Sequence, residues 1–157
     1  MTLTQPSFLA RQRAGPRPQT TPTNPHVQLS DNAPEDLQER VFDFARALPG
    51  VVVGPSLVSI ADTRAFHLPS SAQPARDAFL IEHEFAHLHP SSDGSLHMTL
   101  PADLVDRVIE NQWAERHPLA GRYGLPSNIV MVYGPRDTDE LEVVEDLVRS
   151  SHRNASA

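Results

Sequence analysis

The sequence predicts an α+β domain in which about three helices pack on a mainly antiparallel sheet. Three observations lead to this prediction. Three segments repeat apolar residues at helical spacing, several short apolar runs are separated by turn residues, and a histidine-rich β-hairpin occupies the centre. The predicted order is a helix, three strands, the hairpin, a helix, a strand and a final helix, an order that suits a sheet with its helices on one face.

Apolar residues spaced at helical intervals define the helices. In the first helix, Leu37 and Val41 begin an apolar stripe, and Pro49 follows its end. In the last helix, Asp137 precedes Glu140 by three residues, a spacing that caps helix starts. The predicted helices are Pro34–Leu48, Pro101–Trp113 and Asp137–Ser150.

Short apolar runs bounded by glycine, proline or aspartate predict the strands. Residues 69–74 are expected to form a loop, and residues 75–81 one or two helical turns. The run 113–121 has no clear period and is predicted to be irregular. The predicted strands outside the hairpin are Val51–Val53, Leu57–Ile60, Arg64–Leu68 and Asn128–Tyr133.

The central hairpin runs from Phe85 to Leu100 and turns at Pro90–Gly94, a loop that ends in Asp-Gly. If these five residues form the loop, His87 lies directly opposite His97. Side chains alternate along a strand, so Phe85 points the same way as His87, and a slip of one residue would separate the histidines. The predicted polar face contains His87, His89, Ser95, His97 and Thr99.

Composition excludes several classes of function. The 157 residues include neither cysteine nor lysine, which excludes disulfides, thiolate chemistry, Schiff bases and a Walker-type phosphate loop. The net charge is −7, so nucleic acid and anionic membranes are not expected partners. No apolar run approaches the ~20 residues of a membrane span, and no secretory signal is visible. We therefore expect a soluble cytoplasmic protein.

The chain divides into three predicted parts. Residues 1–33 contain five prolines and few large apolar residues, which is typical of a disordered tail. Residues 34–151 hold the predicted helices and strands and form a single domain, and residues 152–157 are expected to be a flexible C-terminal tail. On this division His26 and His152 lie in tails and take no part in a site.

Three histidines on one sheet face form a candidate metal site. Nitrogen ligation by His87, His89 and His97 would suit a divalent ion such as zinc, iron, copper, nickel or manganese. Glu84, Glu115 or water could complete the shell, although a regular strand would turn Glu84 to the opposite face. A solvated sheet face with neutral, water-bound histidines is the alternative that requires no function.

The same face could perform acid–base chemistry without a metal. A neutral imidazole can take the proton of an acidic hydroxyl at neutral pH, and Arg116 could hold the resulting oxyanion. Arg116 and His117 belong to a polar cluster in an irregular stretch, where functional residues concentrate; the alternative there is a salt bridge beside a turn histidine. We expect a pocket floored by the three histidines and rimmed by residues 113–117. The substrate-binding candidates are Trp113, Glu115, Ser95 and Thr99, and for Trp113 a place in the core is the alternative.

Four pieces of the sequence resemble the fungal luciferase family. The resemblance covers roughly residues 80–150, and Arg116–Gly121 is long enough to be specific. Light-emitting members oxidise a hydroxylated α-pyrone with molecular oxygen, so the resemblance implies chemistry without an organic cofactor. The pieces are Phe85–His89, Ser95–Met98, Trp113–Gly121 and Tyr133–Arg136. The residues that the resemblance implies for the site are His87, His89, His97, Arg116 and His117.

The residues and the resemblance together favour an oxygenase-like oxidoreductase. Its expected substrates are O2 and a small hydroxylated, enolisable or phenolic molecule. The alternative is a non-catalytic module that binds a small molecule or a divalent metal. The histidine spacing favours a metal, whereas the resemblance favours metal-free chemistry, so both remain open at this point.

Overall fold

The computed structural model describes residues 6–69 and 77–156, and it confirms the predicted α+β class. Within these residues one antiparallel sheet has six strands in the order β1-β2-β3-β4-β6-β5. The strands are β1 Val52–Pro55, β2 Arg64–His67, β3 Glu84–Leu88, β4 Leu96–Thr99, β5 Ala114–Arg116 and β6 Ile129–Val132. The helices are α1 Ser7–Ala10, α2 Glu35–Arg46, α3 Ala102–Glu110 and α4 Thr138–Ser156. No helix in the described ranges is long and apolar enough to cross a membrane.

The apolar face of the hairpin forms the centre of the core. Ala86, Leu88, Leu96 and Met98 have no exposed surface and belong to one cluster with the buried residues of α2 and α4. Burial of a side chain such as leucine contributes roughly 1.5–3 kcal/mol. Because side chains alternate along the strands, this packing directs the histidines to the opposite face of the sheet.

The predicted hairpin register is confirmed, since His87 pairs with His97 in the β3–β4 ladder. The turn requires glycine at its end. Gly94 has a φ of 76°, and a Cβ there would lie 2.5 Å from the side chain of Gln38. Two strands of this length joined by a five-residue loop therefore hold the histidines in a fixed pairing.

A β-bulge corrects one part of the predicted pattern. Phe66 pairs with Ala86, but His67 pairs with Glu84, so Phe85 is an extra residue on β3. The bulge turns Glu84 to the face of His87, and it places the ring of Phe85 in the helix-covered core instead of beside the histidines. A regular strand would have reversed these two positions.

Residues 6–33, predicted to be part of a disordered tail, are instead packed against the rest of the fold. Phe8 is buried in the core, and the Trp113 indole donates a hydrogen bond to the Arg11 carbonyl at 2.8 Å. Arg17 donates to the Ala114 carbonyl at 3.0 Å. These anchors are scattered along a proline-rich sequence, so they produce no periodic signal. Residues 1–5 lie outside the described residues.

The C-terminal end also differs from its prediction. Helix α4 continues through Ser156, so residues 152–156 are helical rather than a flexible tail. His152 is buried, and its Nε2 donates a hydrogen bond to the Pro49 carbonyl at 2.8 Å. This contact with the end of the first long helix stabilises the additional turns.

Two strand predictions are corrected. Residues 57–60 do not form a strand, because the Ser56 hydroxyl accepts hydrogen bonds from the backbone N–H groups of Val58 and Ser59 and turns the chain. Residues 114–116, predicted to be irregular, form β5 by pairing with β6. A strand of three residues is too short to show alternation in sequence. Residues 70–76, which include most of the predicted loop and the start of the predicted helical turns, lie outside the described residues.

Candidate functional site

A cavity of about 470 Å³ opens on the polar face of the sheet. Five histidines line it, and they come from three regions of the chain: the N-terminal segment, the hairpin and the stretch after β5. Apolar side chains form much of the remaining wall. The histidines are His26, His87, His89, His97 and His117. The apolar residues include Val58, Ile60, Leu80, Leu119, Leu125 and Ile129.

A buried carboxylate holds each of two hairpin histidines. His87 Nδ1 lies 2.7 Å from Glu84 Oε2, and His89 Nδ1 lies 2.9 Å from Asp93 Oδ2. An ionised carboxylate only accepts hydrogen bonds, so both imidazoles carry their proton on Nδ1. The Nε2 atom of each ring then presents a lone pair. The structure thus places Glu84, which sequence reasoning considered as an addition to a metal shell, and Asp93, which it placed in the turn, as the partners of these two histidines.

Both carboxylates are themselves fixed by further hydrogen bonds. Glu84 accepts from the Leu57 backbone N–H and the Ser56 hydroxyl, each at 2.9 Å. Asp93 accepts from the Ser95 backbone N–H at 2.9 Å and the Ser95 hydroxyl at 2.6 Å. The imidazole orientations are therefore held by a second layer of contacts.

His97 occupies the centre of the cluster. Its Nδ1 lies 3.1 Å from His87 Nε2, and its Nε2 lies 3.0 Å from His26 Nδ1. On the far side, His26 Nε2 lies 2.8 Å from Glu115 Oε2. A continuous chain of polar contacts therefore joins Glu84 to Glu115 through three imidazoles.

Glu115 supports the histidine cluster instead of lining the cavity. Its carboxylate accepts a hydrogen bond from the Tyr133 hydroxyl at 2.8 Å and another from the Thr20 hydroxyl at 2.9 Å. Together with its contact to His26, these bonds fix the N-terminal segment over the sheet. The structure therefore places Glu115, a predicted substrate-binding residue, beside His26 and outside the cavity wall.

His117 is held differently from the other four histidines. Its Nδ1 accepts a hydrogen bond from the Leu119 backbone N–H at 3.0 Å. A neutral His117 therefore carries its proton on Nε2. Its ring packs edge-on against His97, with centroids 4.7 Å apart. His117 can thus offer an N–H donor to the cavity, whereas His89 offers a lone pair.

Burial and hydrogen bonding set the charges of the site. Burial lowers the pKa of His87, lowers that of His97 well below its usual value, and lowers that of His117 to about 4. Burial alone would raise the pKa of Glu84 and Asp93, but hydrogen bonds, above all from their histidine partners, lower both overall. At neutral pH these groups are neutral imidazoles beside ionised carboxylates.

Arg116 points away from the cavity, which corrects its predicted role as the oxyanion partner. Its guanidinium forms an ion pair with Asp106 at 3.1 Å, donates to the Ser127 carbonyl at 2.6 Å, and is 44% exposed. Alternation along β5 explains the difference, because Glu115 turns toward the histidines and the next residue turns away.

Three further predicted residues lie outside the cavity wall. Trp113 is buried in the core, Ser95 holds Asp93, and the Thr99 hydroxyl donates to the Ala78 carbonyl at 2.9 Å. The hairpin register did place Ser95 and Thr99 on the histidine side, but neighbouring segments cover them. For Trp113, the structure confirms the core alternative.

His26 is the functional candidate that sequence reasoning missed. It is buried, its ring stacks on His97 with centroids 5.1 Å apart, and it lies 71 residues away from His97 in sequence. No local pattern marks it, since its neighbours are proline, asparagine and threonine. The one feature of the sequence that could have indicated His26 was the number of histidines to which no partner was assigned.

The cluster contains two overlapping sets of histidines whose nitrogens lie close enough to hold a metal ion. In each set, the candidate ligand atoms are within 4.8 Å of one another. His97 is common to both sets. One set is His87, His89 and His97, as predicted, and the other is His26, His97 and His117.

The fold and the site define the class: an α+β protein with a histidine-lined cavity on its sheet. Residues 82–151 match the family model described as a luciferase domain. The chain is also 40% identical over 70 residues to proteins named luciferase from Armillaria gallica, Armillaria mellea and Neonothopanus nambi. Over this segment the chain is therefore similar to the fungal luciferase family, which confirms the predicted resemblance.

The matched region is only part of each protein. It covers 43% of this chain and 26% of each of these relatives, so the chain matches about a quarter of their length. Four of the five cavity histidines fall inside residues 82–151, and His26 lies before them. No solved structure matches this chain.

Proposed function

We propose that this protein is an oxygenase-like enzyme that acts on a small hydroxylated, enolisable or phenolic substrate with O2. The observation that carries the proposal is the pairing of a free imidazole lone pair on His89 with an N–H donor on His117 in one cavity. Both rings pack against His97, with centroid distances of 4.6 and 4.7 Å.

His89 is the proposed general base. His89 lines the cavity, and its Nε2 lone pair can accept the proton of a substrate hydroxyl. Asp93, 2.9 Å from Nδ1, fixes the tautomer and stabilises the imidazolium that forms. The electron pair of the broken O–H bond stays on the substrate, which becomes an electron-rich anion able to reduce O2.

His117 is the proposed partner of that anion. Because its Nδ1 accepts from Leu119, its Nε2–H is available to donate to the substrate oxygen. A neutral donor is well suited to this place, since a second cation would be repelled by the imidazolium that forms at His89. His117 thereby takes the role that the sequence suggested for Arg116.

The cavity suits a small aromatic or pyrone-like molecule. Its volume of about 470 Å³ falls within the range of small-molecule sites, and its apolar walls would contact a flat ring. The resemblance to the fungal luciferase family implies a substrate of the hydroxylated α-pyrone type, and the matched relatives are named luciferase. No organic cofactor is part of this proposal.

Oxygen uptake tests the proposal. We expect O2 consumption with hydroxylated α-pyrones or polyphenols, and a loss of roughly 100-fold or more in His89→Gln, since general-base groups contribute about that much. His67→Gln is the matched control, because His67 lies on β2 outside the cavity and should leave the rate unchanged. Binding of these compounds without any O2 consumption would contradict the proposal.

The second candidate is a non-catalytic module that binds a small molecule or a divalent metal. The two histidine sets favour it, because neutral imidazoles are common ligands of divalent transition metals. The same uptake assay separates the candidates, since a module binds without turnover. A cytoplasmic location stays a prediction that cell fractionation would test.

A further inference from the structure

When all three imidazoles are neutral, the chain of contacts between Glu84 and Glu115 has one proton fewer than it has contacts. An ionised carboxylate carries no proton, and a neutral imidazole carries one N–H. Three ring protons therefore serve four contacts, and one nitrogen–nitrogen contact has a lone pair on each side. The contacts are Glu84–His87 at 2.7 Å, His87–His97 at 3.1 Å, His97–His26 at 3.0 Å and His26–Glu115 at 2.8 Å.

Hydrogen bonding distinguishes the two histidine sets. In the set that contains His117, the lone pair of His117 Nδ1 accepts a hydrogen bond from the Leu119 N–H. The proton of a neutral His117 is therefore on Nε2. A neutral His117 therefore has no lone pair left for a metal. In the set with His87 and His89, both Nδ1 atoms donate to carboxylates, and both Nε2 lone pairs are available.

We propose that His87 Nε2, His89 Nε2 and His97 Nδ1 form a binding site for one divalent first-row transition metal ion such as Zn²⁺. An ion at this position lies between His87 Nε2 and His97 Nδ1, where two lone pairs would otherwise face each other. The single proton of His97 then lies on Nε2 and donates to His26, so each remaining contact has its proton. The inference rests on the metal-binding candidate described above and names its ligand atoms; a bound ion would occupy the His89 Nε2 lone pair that the oxygenase proposal uses as its base.

The surroundings match those of protein metal sites. Zinc–nitrogen bonds of 2.0–2.1 Å at tetrahedral angles place two ligand nitrogens roughly 3.3 Å apart. The His87 and His97 nitrogens are 3.1 Å apart, so only a small displacement is needed. Glu84 and Asp93 accept hydrogen bonds from Nδ1 of His87 and His89, as carboxylates commonly do for imidazoles that bind a metal through the other nitrogen. The three rings also line the cavity, which leaves a fourth position for water or a ligand.

Zinc titration of metal-free, untagged protein tests the site, with binding followed by calorimetry. We expect one Zn²⁺ per chain and at least a 100-fold weaker affinity in His89→Ala, whose histidine belongs only to the proposed set. His117→Ala, whose histidine belongs only to the other set, should stay within about threefold of the wild type. Asp93→Asn should weaken binding 10–100-fold, the usual effect of losing an orienting carboxylate.

Circular dichroism at each step confirms that the variants are folded, and His89→Gln replaces His89→Ala if the latter is not. The inference is overturned if the wild type binds no zinc, if His117→Ala loses binding, or if His89→Ala retains it. Oxygen uptake by metal-free protein is measured separately. Oxygen uptake without zinc binding would contradict the metal site and leave the oxygenase proposal intact. Zinc binding without oxygen uptake would support the metal site and contradict the oxygenase proposal.

Discussion

The hairpin and the N-terminal segment both supply histidines to one cavity, but they are held there in different ways. In the hairpin, His87 and His89 are fixed by acids only three and four residues away. In the N-terminal segment, His26 is fixed by Glu115 across 89 residues and by His97 across 71. The hairpin is thus organised by local chemistry, whereas the segment depends on the completed sheet.

This difference has a consequence for stability. The hairpin histidines retain their carboxylate partners as long as β3 stays paired with β4 and with β2, whose pairing sets the bulge at Phe85. The N-terminal segment requires its own anchors, which include Phe8 in the core, Arg11 on Trp113 and Gln28, whose backbone N–H donates to Asp93 at 3.3 Å. One of the five cavity histidines, His26, therefore depends on a segment outside the matched residues 82–151.

The largest expected effect concerns the anchoring of the N-terminal segment. Phe8→Ala should lower the free energy of unfolding by about 3–5 kcal/mol, the usual cost of removing a buried phenylalanine. Leu29→Ala is the matched control from the same segment, because Leu29 is 57% exposed and its loss should have little effect. Chemical denaturation measures both. Equal stability of the two variants would show that the segment is not part of the folded core.

The sequence predicted the parts of the fold that local patterns specify. Alternation and turn residues placed His87 opposite His97, and helical spacing located the three long helices. The bulge at Phe85 could not be predicted, because it depends on how β2 pairs with β3. That single extra residue decides whether Glu84 faces the histidines or the core.

The sequence predicted three of the five cavity histidines from the hairpin and a fourth, His117, from the polar cluster after it. It could not predict which of Glu115 and Arg116 faces the histidines, because a strand of three residues is too short to show alternation. It also assigned His26 to a tail, because long-range contacts leave no periodic trace in a proline-rich segment. Contacts between residues that are far apart in sequence cannot be predicted from one sequence alone.

A smaller effect is expected from pH. The pKa values of His87, His97 and His117 are lowered in the folded protein, so between about pH 6.5 and 4 the unfolded chain binds more protons. The free energy of unfolding should therefore decrease as the pH falls through this interval. At still lower pH, protonation of Glu84 and Asp93, whose pKa values are also lowered, acts in the same direction.

Denaturation at pH 7 and pH 5 measures this dependence. His117→Asn should show a smaller decrease than the wild type, because it removes one group that must stay neutral when folded. His67→Asn, outside the cavity, serves as the control. A wild-type protein that is as stable at pH 5 as at pH 7 would contradict the assignment of neutral imidazoles to the cavity.

The central claim is that the N-terminal segment and the sheet form a single site, and a double-mutant cycle between His26 and Glu115 tests it most directly. The two side chains lie 2.8 Å apart, so His26→Ala and Glu115→Ala should be coupled by about 0.5–3 kcal/mol in the free energy of unfolding. The pair His67→Ala and Glu115→Ala should be additive. Additivity for His26 and Glu115 as well would contradict the claim, because it would show that His26 does not contact the sheet in solution.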